Sequence, residues 1–342
     1  MTTTVGVIGL GLAVAPHAKS LMDLRDRVNV KYAFSRTPER REAFGESYPA
    51  FRMIDDLETI LNDPEVDAVL VLTPPSTHLE LVRRAAAAGK HVLLEKPVEI
   101  TTERAEEMVR VARAAGITLG VCLQHRFRLG SLRLYELLAE GALGRIAGAS
   151  AFMRLWRSQA YYDEPGRGTI ARDGGGVLMT QGIPTLALLL SGAGPVREVI
   201  AFAATTPVHR METEDLVAAA VRFENGAIGA IDATTACYPG FVERVELIGE
   251  RGTAVLEGAE LRVHFHDGSD LAAGGEEVVA GGGDPMAFPH AFHRRLHEDF
   301  FDAIRPGREP RISGAEALKV HRFIDAILRA SAERRVVAVP AA

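Results

Sequence analysis

From residue 5 to about 145, short apolar runs alternate with stretches whose apolar positions recur at helical spacing. Runs at Val5–Leu10, Val28–Ser35, Ala50–Met53, Ala68–Thr73, His91–Glu95 and Thr118–Gln124 read as strands, and the segments between them as helices covering both faces of a parallel sheet. Several helix ends carry chemical markers. Thr37-Pro38 supplies an N-cap followed by proline, Thr77 with Glu80 reads as a capping box, and Gly89 and Gly116 stand where helices stop. After Gly141 the rhythm changes. Longer alternating runs at Val199–Thr206, Leu216–Phe223, Ala227–Thr235, Val242–Ile248, Thr253–Leu256 and Leu261–Phe265 predict an open, mostly antiparallel sheet. Glu224-Asn225-Gly226 predicts a tight hairpin, because Asn-Gly accepts the positive φ angles such a turn needs. Segment 272–287 reads as a surface loop. Helical patterns return at 290–305 and 314–331, the second opened by Ser313 with Glu316 at the capping-box position.

The fold class is therefore α/β: a doubly wound parallel sheet of Rossmann type, then an α+β domain with a large open sheet. Residues 1–125 form the expected dinucleotide-binding domain and 126–342 the substrate and oligomerisation domain, with return of the C-terminal helix to the first domain as one option. A chain of 342 residues exceeds one ordinary core, which also favours two domains. A hydrophobic fraction of 47% with 25% charged residues excludes general disorder. The net charge of −6, with cations spread along the chain, gives no patch for a nucleic acid backbone. Met1-Thr2-Thr3-Thr4 leads straight into a strand, and no apolar run approaches the ~20 residues of a membrane span. A cytoplasmic protein without a membrane partner is expected, with Cys122 and Cys237 as free thiols.

The first turn reads Gly9-Leu10-Gly11-Leu12-Ala13-Val14. Gly9 permits the tight turn and Gly11 the close approach of a pyrophosphate, which would rest on the N-terminus of helix 13–24 beside Leu12 and Ala13. Val14 replaces the third glycine of the fingerprint and weakens the motif taken alone. The second strand ends Phe34-Ser35-Arg36, with Arg40 one helical turn on. A hydroxyl and guanidiniums suit a 2′-phosphate, so NADP is favoured over NAD, although arginines at a helix start are also common on structural grounds. Thr73-Pro74-Pro75 with His78 fixes the backbone after the fourth strand. Glu95-Lys96-Pro97 and Gln124 end the fifth and sixth. A lysine held between an apolar strand and a proline is suited to general acid–base work, or to orienting a hydroxyl or carbonyl. The alternative is an ordinary strand-end lysine paired with Glu95.

With these residues the chain resembles the Gfo/Idh/MocA oxidoreductases. The likeness rests on the glycine turn with His17 behind it, Thr73-Pro74 and His78, Glu95-Lys96-Pro97, Asp173-Gly174-Gly175-Gly176-Val177-Leu178, and the ending from Asp299-Phe300 through Arg308-Glu309-Pro310 and Gly314. It implies a bound nicotinamide, a sugar, polyol or related carbonyl substrate between the domains, and a homodimer or homotetramer built through the open sheet. One departure concerns the chemistry. Where the family commonly has an Asp and, four residues later, a His on one helix face, this chain has Thr180 and Pro184, and Ala187 where a further Asp is often seen.

Three readings follow. Lys96 handles the proton with help from Tyr161, Tyr162 or another donor; or oxidation is transient, serving cleavage or epimerisation; or the protein binds cofactor without chemistry. Thr180 joins Lys96 and Tyr161 as a catalytic candidate. Arg172 and Gln181, with Tyr161, Tyr162 and Thr180, are the expected substrate contacts, although the loop 157–172 could equally cover the site or join a subunit interface. His290, His293 and His297 share a helix face, but no acid or cysteine stands at suggestive spacing, so they read as a packing face and no metal is expected.

Overall fold

The computed structural model describes residues 2–275, 289–304 and 308–340. The first run of elements is β1 (Thr3–Ile8), α1 (Val14–Asp23), β2 (Val28–Phe34), α2 (Pro38–Ser47), β3 (Arg52–Ile54), α3 (Glu58–Leu61), β4 (Ala68–Val71), α4 (His78–Ala87), β5 (His91–Leu94), α5 (Thr102–Ala114) and β6 (Leu119–Val121). The second comprises α6 (Leu129–Ala139), β7 (Ile146–Arg154), α7 (Gln159–Tyr162), α8 (Ile170–Asp173), α9 (Ile183–Ala193), β8 (Val196–Ala204), β9 (Leu216–Phe223), β10 (Ile228–Thr234), β11 (Arg244–Gly249), β12 (Gly252–Glu257), β13 (Glu260–Phe265) and β14 (Asp270–Ala273). Helices α10 (Ala291–Ala303) and α11 (Gly314–Glu333) and the short β15 (Val337–Ala338) complete the chain. Two compact units result: Met1–Cys122 with His290–Leu318, and Leu123–Pro289 with Lys319–Ala342. Residues 276–287 of the expected surface loop lie outside the described residues.

The first unit is built on a six-stranded parallel sheet in the order β3-β2-β1-β4-β5-β6. All four residues of β4 are buried, as a central strand covered on both faces requires. Helix α1 buries Val14, His17, Ala18 and Leu21, one stripe at i, i+3, i+4 and i+7. Helix α10 packs on it and buries His293, Leu296, His297 and Phe300 at the same spacing. The large apolar members, Val14, Leu21, Leu296 and Phe300, each contribute about 1.5–3 kcal/mol by leaving water. The histidines in both stripes need partners instead.

The second unit is built on a nine-stranded sheet in the order β14-β13-β12-β11-β7-β10-β9-β8-β15. Its pairs are antiparallel except β7 with β10. Helix α9 packs on β7 and β11, while along β9 buried and exposed residues alternate strictly. The continuous helical stretch Ile170–Ala193 matches a membrane span in length and composition, contrary to the reading that no run approaches one. Yet 72% of its apolar window is buried inside the protein, as in a core helix.

The structure departs from the sequence reading in several local respects; one is Thr37, which stands at the N-cap of α2 but makes no side-chain cap bond there. Strand β7 was not anticipated, because Ile146-Ala147-Gly148-Ala149-Ser150-Ala151 is small and weakly β-prone; its place between β11 and β10 is decided by neighbours. Thr77 makes no cap bond to α4: its hydroxyl donates to the Pro74 carbonyl at 2.8 Å and lies 2.7 Å from Thr73 Oγ1, in a 3₁₀ turn. In the 224–226 hairpin only Gly226 has positive φ (88°), and the turn closes from Phe223 to Ala227. Residues 122–124 lie beyond the end of β6. The expected positive φ appears at Gly89 and Gly116, and Ser313 Oγ accepts the Glu316 N–H at 3.4 Å.

Candidate functional site

In the first unit the strand order reverses between β1 and β4, where doubly wound sheets hold ligand at the carboxyl ends of their strands. The turn after β1 begins at Gly9, with φ 103°. A Cβ there would lie 2.8 Å from the Leu72 carbonyl oxygen, so backbone approach from the β4 side demands glycine. Gly11 differs: its nearest neighbour would be Arg40 Nη1 at 3.9 Å. Packing within the chain leaves space above Gly11, and a pyrophosphate approaching the backbone gives that glycine a reason. Ala13 stands at the N-cap of α1, and Leu12, 66% exposed, lies across the turn.

The end of β2 carries three arginines. Arg41 is committed, donating to the Ser35 carbonyl at 2.6 Å and lying 3.6 Å from Asp55. Ser35 is buried, with its hydroxyl accepting the Thr37 N–H at 3.2 Å. Arg36 and Arg40 are exposed and have no ion-pair partner among the described residues. Two guanidiniums are thus left for an anion.

After β4, Thr73, Pro74 and Pro75 form the turn into α4. His78 was expected beside the cofactor; it is fully buried instead. Its ring nitrogens lie 2.8 Å from the Thr73 carbonyl and 3.0 Å from the Val98 carbonyl, and burial lowers its pKa. It ties the 73–78 turn to the segment after β5. Glu99 performs a related task on the same segment. Burial alone would raise its pKa, but Arg104 and the N–H groups of Ile100 and Leu79 outweigh that and lower it.

Glu95, also expected to line the cofactor, directs its carboxylate elsewhere. Oε1 lies 3.0 Å from His17 Nε2, and Oε2 accepts the Lys96 backbone N–H at 2.8 Å. His17 Nδ1 in turn lies 2.9 Å from His297 Nε2. The His293 ring stands edge-on to His17 at 4.8 Å between centroids. Donor atoms of His17, Glu95 and Cys122 fall within 4.8 Å of one another, a metal-like grouping. Both ring nitrogens of His17 are already engaged, however, and burial holds the Cys122 thiol well above its usual pKa, so we read the group as a hydrogen-bonded network. The Lys96 side chain, half-buried, projects from this strand end.

The second unit contains the other expected residues. Gly176 is required by contact: a Cβ there would lie 1.8 Å from the Glu214 carbonyl oxygen, and that oxygen accepts the Val177 N–H at 2.9 Å. Burial raises the Glu214 pKa against the pull of N–H donors from Gly176 and Leu178. The glycine run leads into a wide π-helical turn, Leu178–Gly182, ahead of α9. Pro184 has no N–H for the carbonyl four residues back and its ring crowds that position; a widened turn relieves both. Pro184 and Ala187 are buried, so neither departure from the family pattern is offset at its own position.

The widened turn displays Thr180 and Gln181. The Thr180 hydroxyl donates to the Gly176 carbonyl at 2.7 Å or to the Gln181 amide oxygen beside it, one proton serving only one of them. Gln181 Nε2 donates to the Tyr161 hydroxyl at 3.3 Å. The Tyr161 ring lies under Arg167, 4.1 Å from guanidinium carbon to centroid, with Arg157 on it at 5.7 Å. Thr180, Gln181 and Tyr161 therefore form one group. Tyr162 does not join it: its hydroxyl lies 2.7 Å from Thr235 Oγ1, and burial pushes its pKa up to about 12. Nor is Arg172 a free contact, because it donates to Glu164 at 3.0 Å and to the Pro165 carbonyl at 2.6 Å, bracing its own loop. Gln124 is buried, and its amide oxygen has no hydrogen-bond partner among the described residues.

Sequence reasoning missed the inward bonding of His17, Glu95 and His297, the commitment of Arg41, and a buried pair formed by His209 Nδ1 and Asp215 Oδ2 at 2.7 Å. It also missed Glu243, which burial would raise but Arg128 and His125 hold down to about 2. The spacing of His293 and His297 was visible; the hydrogen-bond partner of His297 lies 280 residues away.

Residues 3–123 match the model described as "Oxidoreductase family, NAD-binding Rossmann fold", and residues 131–255 match the GFO/IDH/MocA C-terminal domain. The chain is 26% identical to the inositol 2-dehydrogenase of Rhizobium meliloti, over 99% of this chain and 100% of that one. It is 35% identical over 143 residues to the scyllo-inositol 2-dehydrogenase (NADP(+)) IolW of Bacillus subtilis, covering 42% of this chain and 39% of that one. The WlbA dehydrogenase of Bordetella pertussis, solved with NADH and UDP-GlcNAcA, superposes over 100% of both chains with a TM-score of 0.85 at 26% identity.

Proposed function

The chain belongs to the GFO/IDH/MocA family of oxidoreductases, with an NAD-binding Rossmann domain, and from that premise we propose that it moves hydride between a nicotinamide and a secondary alcohol or ketone of a sugar- or polyol-like substrate. When bound, the nicotinamide supplies or takes up the hydride. Gly9, Gly11, Leu12 and Ala13 receive the pyrophosphate on the N-terminus of α1. Arg36 and Arg40 receive a 2′-phosphate, which favours NADP, and Thr73, Pro74 and Pro75 wall the nicotinamide end. Lys96 exchanges the proton at the reacting oxygen: it donates when a carbonyl is reduced and accepts, uncharged, when a hydroxyl is oxidised. Thr180, Gln181 and Tyr161 are assigned to substrate hydroxyls. We place the protein in the cytoplasm.

The observation that carries this reading is the position of Lys96, held by its own backbone at the end of β5 in a Rossmann sheet whose glycine turn leaves space for a ligand. The test is nicotinamide absorbance with NAD or NADP and a panel of sugars, inositols and their keto forms. One substrate should give turnover, and Lys96→Ala should cut it by at least ~10²-fold while cofactor affinity holds. Equal turnover in the variant would remove Lys96 from the chemistry.

A second reading, cofactor binding without net oxidation, is favoured by the buried, untitratable Pro184 and Ala187. Tight cofactor binding with silence across the panel would support it.

A further inference from the structure

Six residues of the first unit form a chain of contacts: His297, His17, Glu95 and Lys96 in sequence, with His293 and Cys122 beside His17. We propose that His17 and His297 are positioning residues for Lys96, acting through the Glu95 carboxylate. This rests on the reading of Lys96 as the acid–base group.

The geometry leaves few choices of proton placement. A carboxylate only accepts hydrogen bonds, so His17 must present N–H at Nε2 to Glu95 Oε1, 3.0 Å away. A neutral His17 then has a lone pair at Nδ1, and His297 must donate to it from Nε2 at 2.9 Å. That fixes His297 as its Nε2–H tautomer, with Nδ1 buried and without a hydrogen-bond partner among the described residues. Protonating His17 would turn the bond round and leave His297 with a buried, unpartnered N–H instead. Desolvation opposes a charge on His297, which is fully buried and has its pKa lowered well below the usual histidine value.

The relay is a hydrogen-bonded strut between α10, α1 and the end of β5, closing on the Glu95 carboxylate. Its last bond, from the Lys96 N–H to Glu95 Oε2 at 2.8 Å, sets the backbone from which the lysine side chain projects. A strut of apolar side chains would fill the same volume without fixing the carboxylate.

The experiment uses the full chain and two variants. His297→Phe keeps the ring volume and removes the donor; His297→Gln keeps an N–H that can reach His17 Nδ1. Ring-nitrogen NMR should show His17 locked as its Nε2–H tautomer in wild type and His297→Gln, and exchanging between tautomers in His297→Phe. With the substrate found in the panel, His297→Phe should lower kcat by about tenfold at unchanged KM and unchanged cofactor affinity, and His297→Gln should recover most of it. A His17 tautomer unaffected by His297→Phe, or scrambled with kcat unchanged, would overturn the proposal. If the phenylalanine variant does not fold, wild-type kcat in a glutamine variant whose His17 tautomer is scrambled would overturn it equally. Should Lys96→Ala leave turnover intact while the NMR result holds, the assignment of Lys96 fails and the strut stands as structure alone.

Discussion

At the scale of single residues, charge either finds a partner in the fold or is left for a ligand. Arg41 is bonded to Ser35, whereas Arg36 and Arg40 are exposed without an ion-pair partner among the described residues. Replacing both with alanine should weaken NADPH binding by roughly 10- to 100-fold, the scale of one or two charge-assisted hydrogen bonds, and NADH binding by less than about threefold. Fluorescence titration with each cofactor checks this; equal losses would assign the pair to general electrostatics. Glu243 is the opposite case, a carboxylate held beside the buried Arg128. Its folded pKa of about 2 lies below the ordinary 4.5, so its contribution is fully present above 4.5 and is lost as pH falls from there toward 2. Thermal melts across that interval should show the wild type losing more stability than Glu243→Gln, which keeps every other carboxylate. At neutral pH the variant should be about 3–5 kcal/mol less stable, because it removes the carboxylate that faces the buried Arg128 guanidinium.

At the scale of elements, the decisive local feature is the passage from the glycine run into α9. Gly176 lets the chain lie against the backbone at Glu214, and the widened turn just ahead of Pro184 displays Thr180 and Gln181. Pro184→His would restore an N–H to this stretch and add a titratable ring at the position where the family usually has one. If Lys96 suffices for proton transfer, turnover should stay within about tenfold of wild type on the same substrate panel. A gain of ~10²-fold would mean that the pocket lacked only a proton carrier. The proline and its offset were visible in the sequence. The π-helical turn was not, because a turn type depends on which carbonyl goes unserved once the helix is packed.

At the scale of the whole molecule, the nine-stranded sheet leaves a row of apolar side chains in water, among them Ile200, Phe202, Ile228 and Ile248, with Phe202 76% exposed. We propose that a second copy of the chain packs on this surface. Phe202→Asp should convert a dimer or tetramer to monomer in light scattering without lowering the melting temperature of the isolated subunit. An unchanged mass would move the oligomer interface elsewhere. Much of this architecture was legible beforehand. The period of apolar residues distinguished a doubly wound half from an open-sheet half, since burial on two faces or on one leaves different patterns along a strand. The placements of Gly9 and Lys96 were legible because a tight turn and a strand end constrain residue type locally. Strand β7 was hidden, as small residues take strand geometry only when neighbours supply the pairing. His78, Tyr162 and Arg172 were read as ligand contacts, and the fold turned each to an internal partner. The sequence determined the order of elements, the glycine turn and the placement of the lysine, because these depend on near neighbours in the chain. Only the tertiary structure decided which polar side chains remain available and which are consumed, as in the meeting of His17 with Glu95 and His297, because those bonds join residues 78 and 280 positions apart.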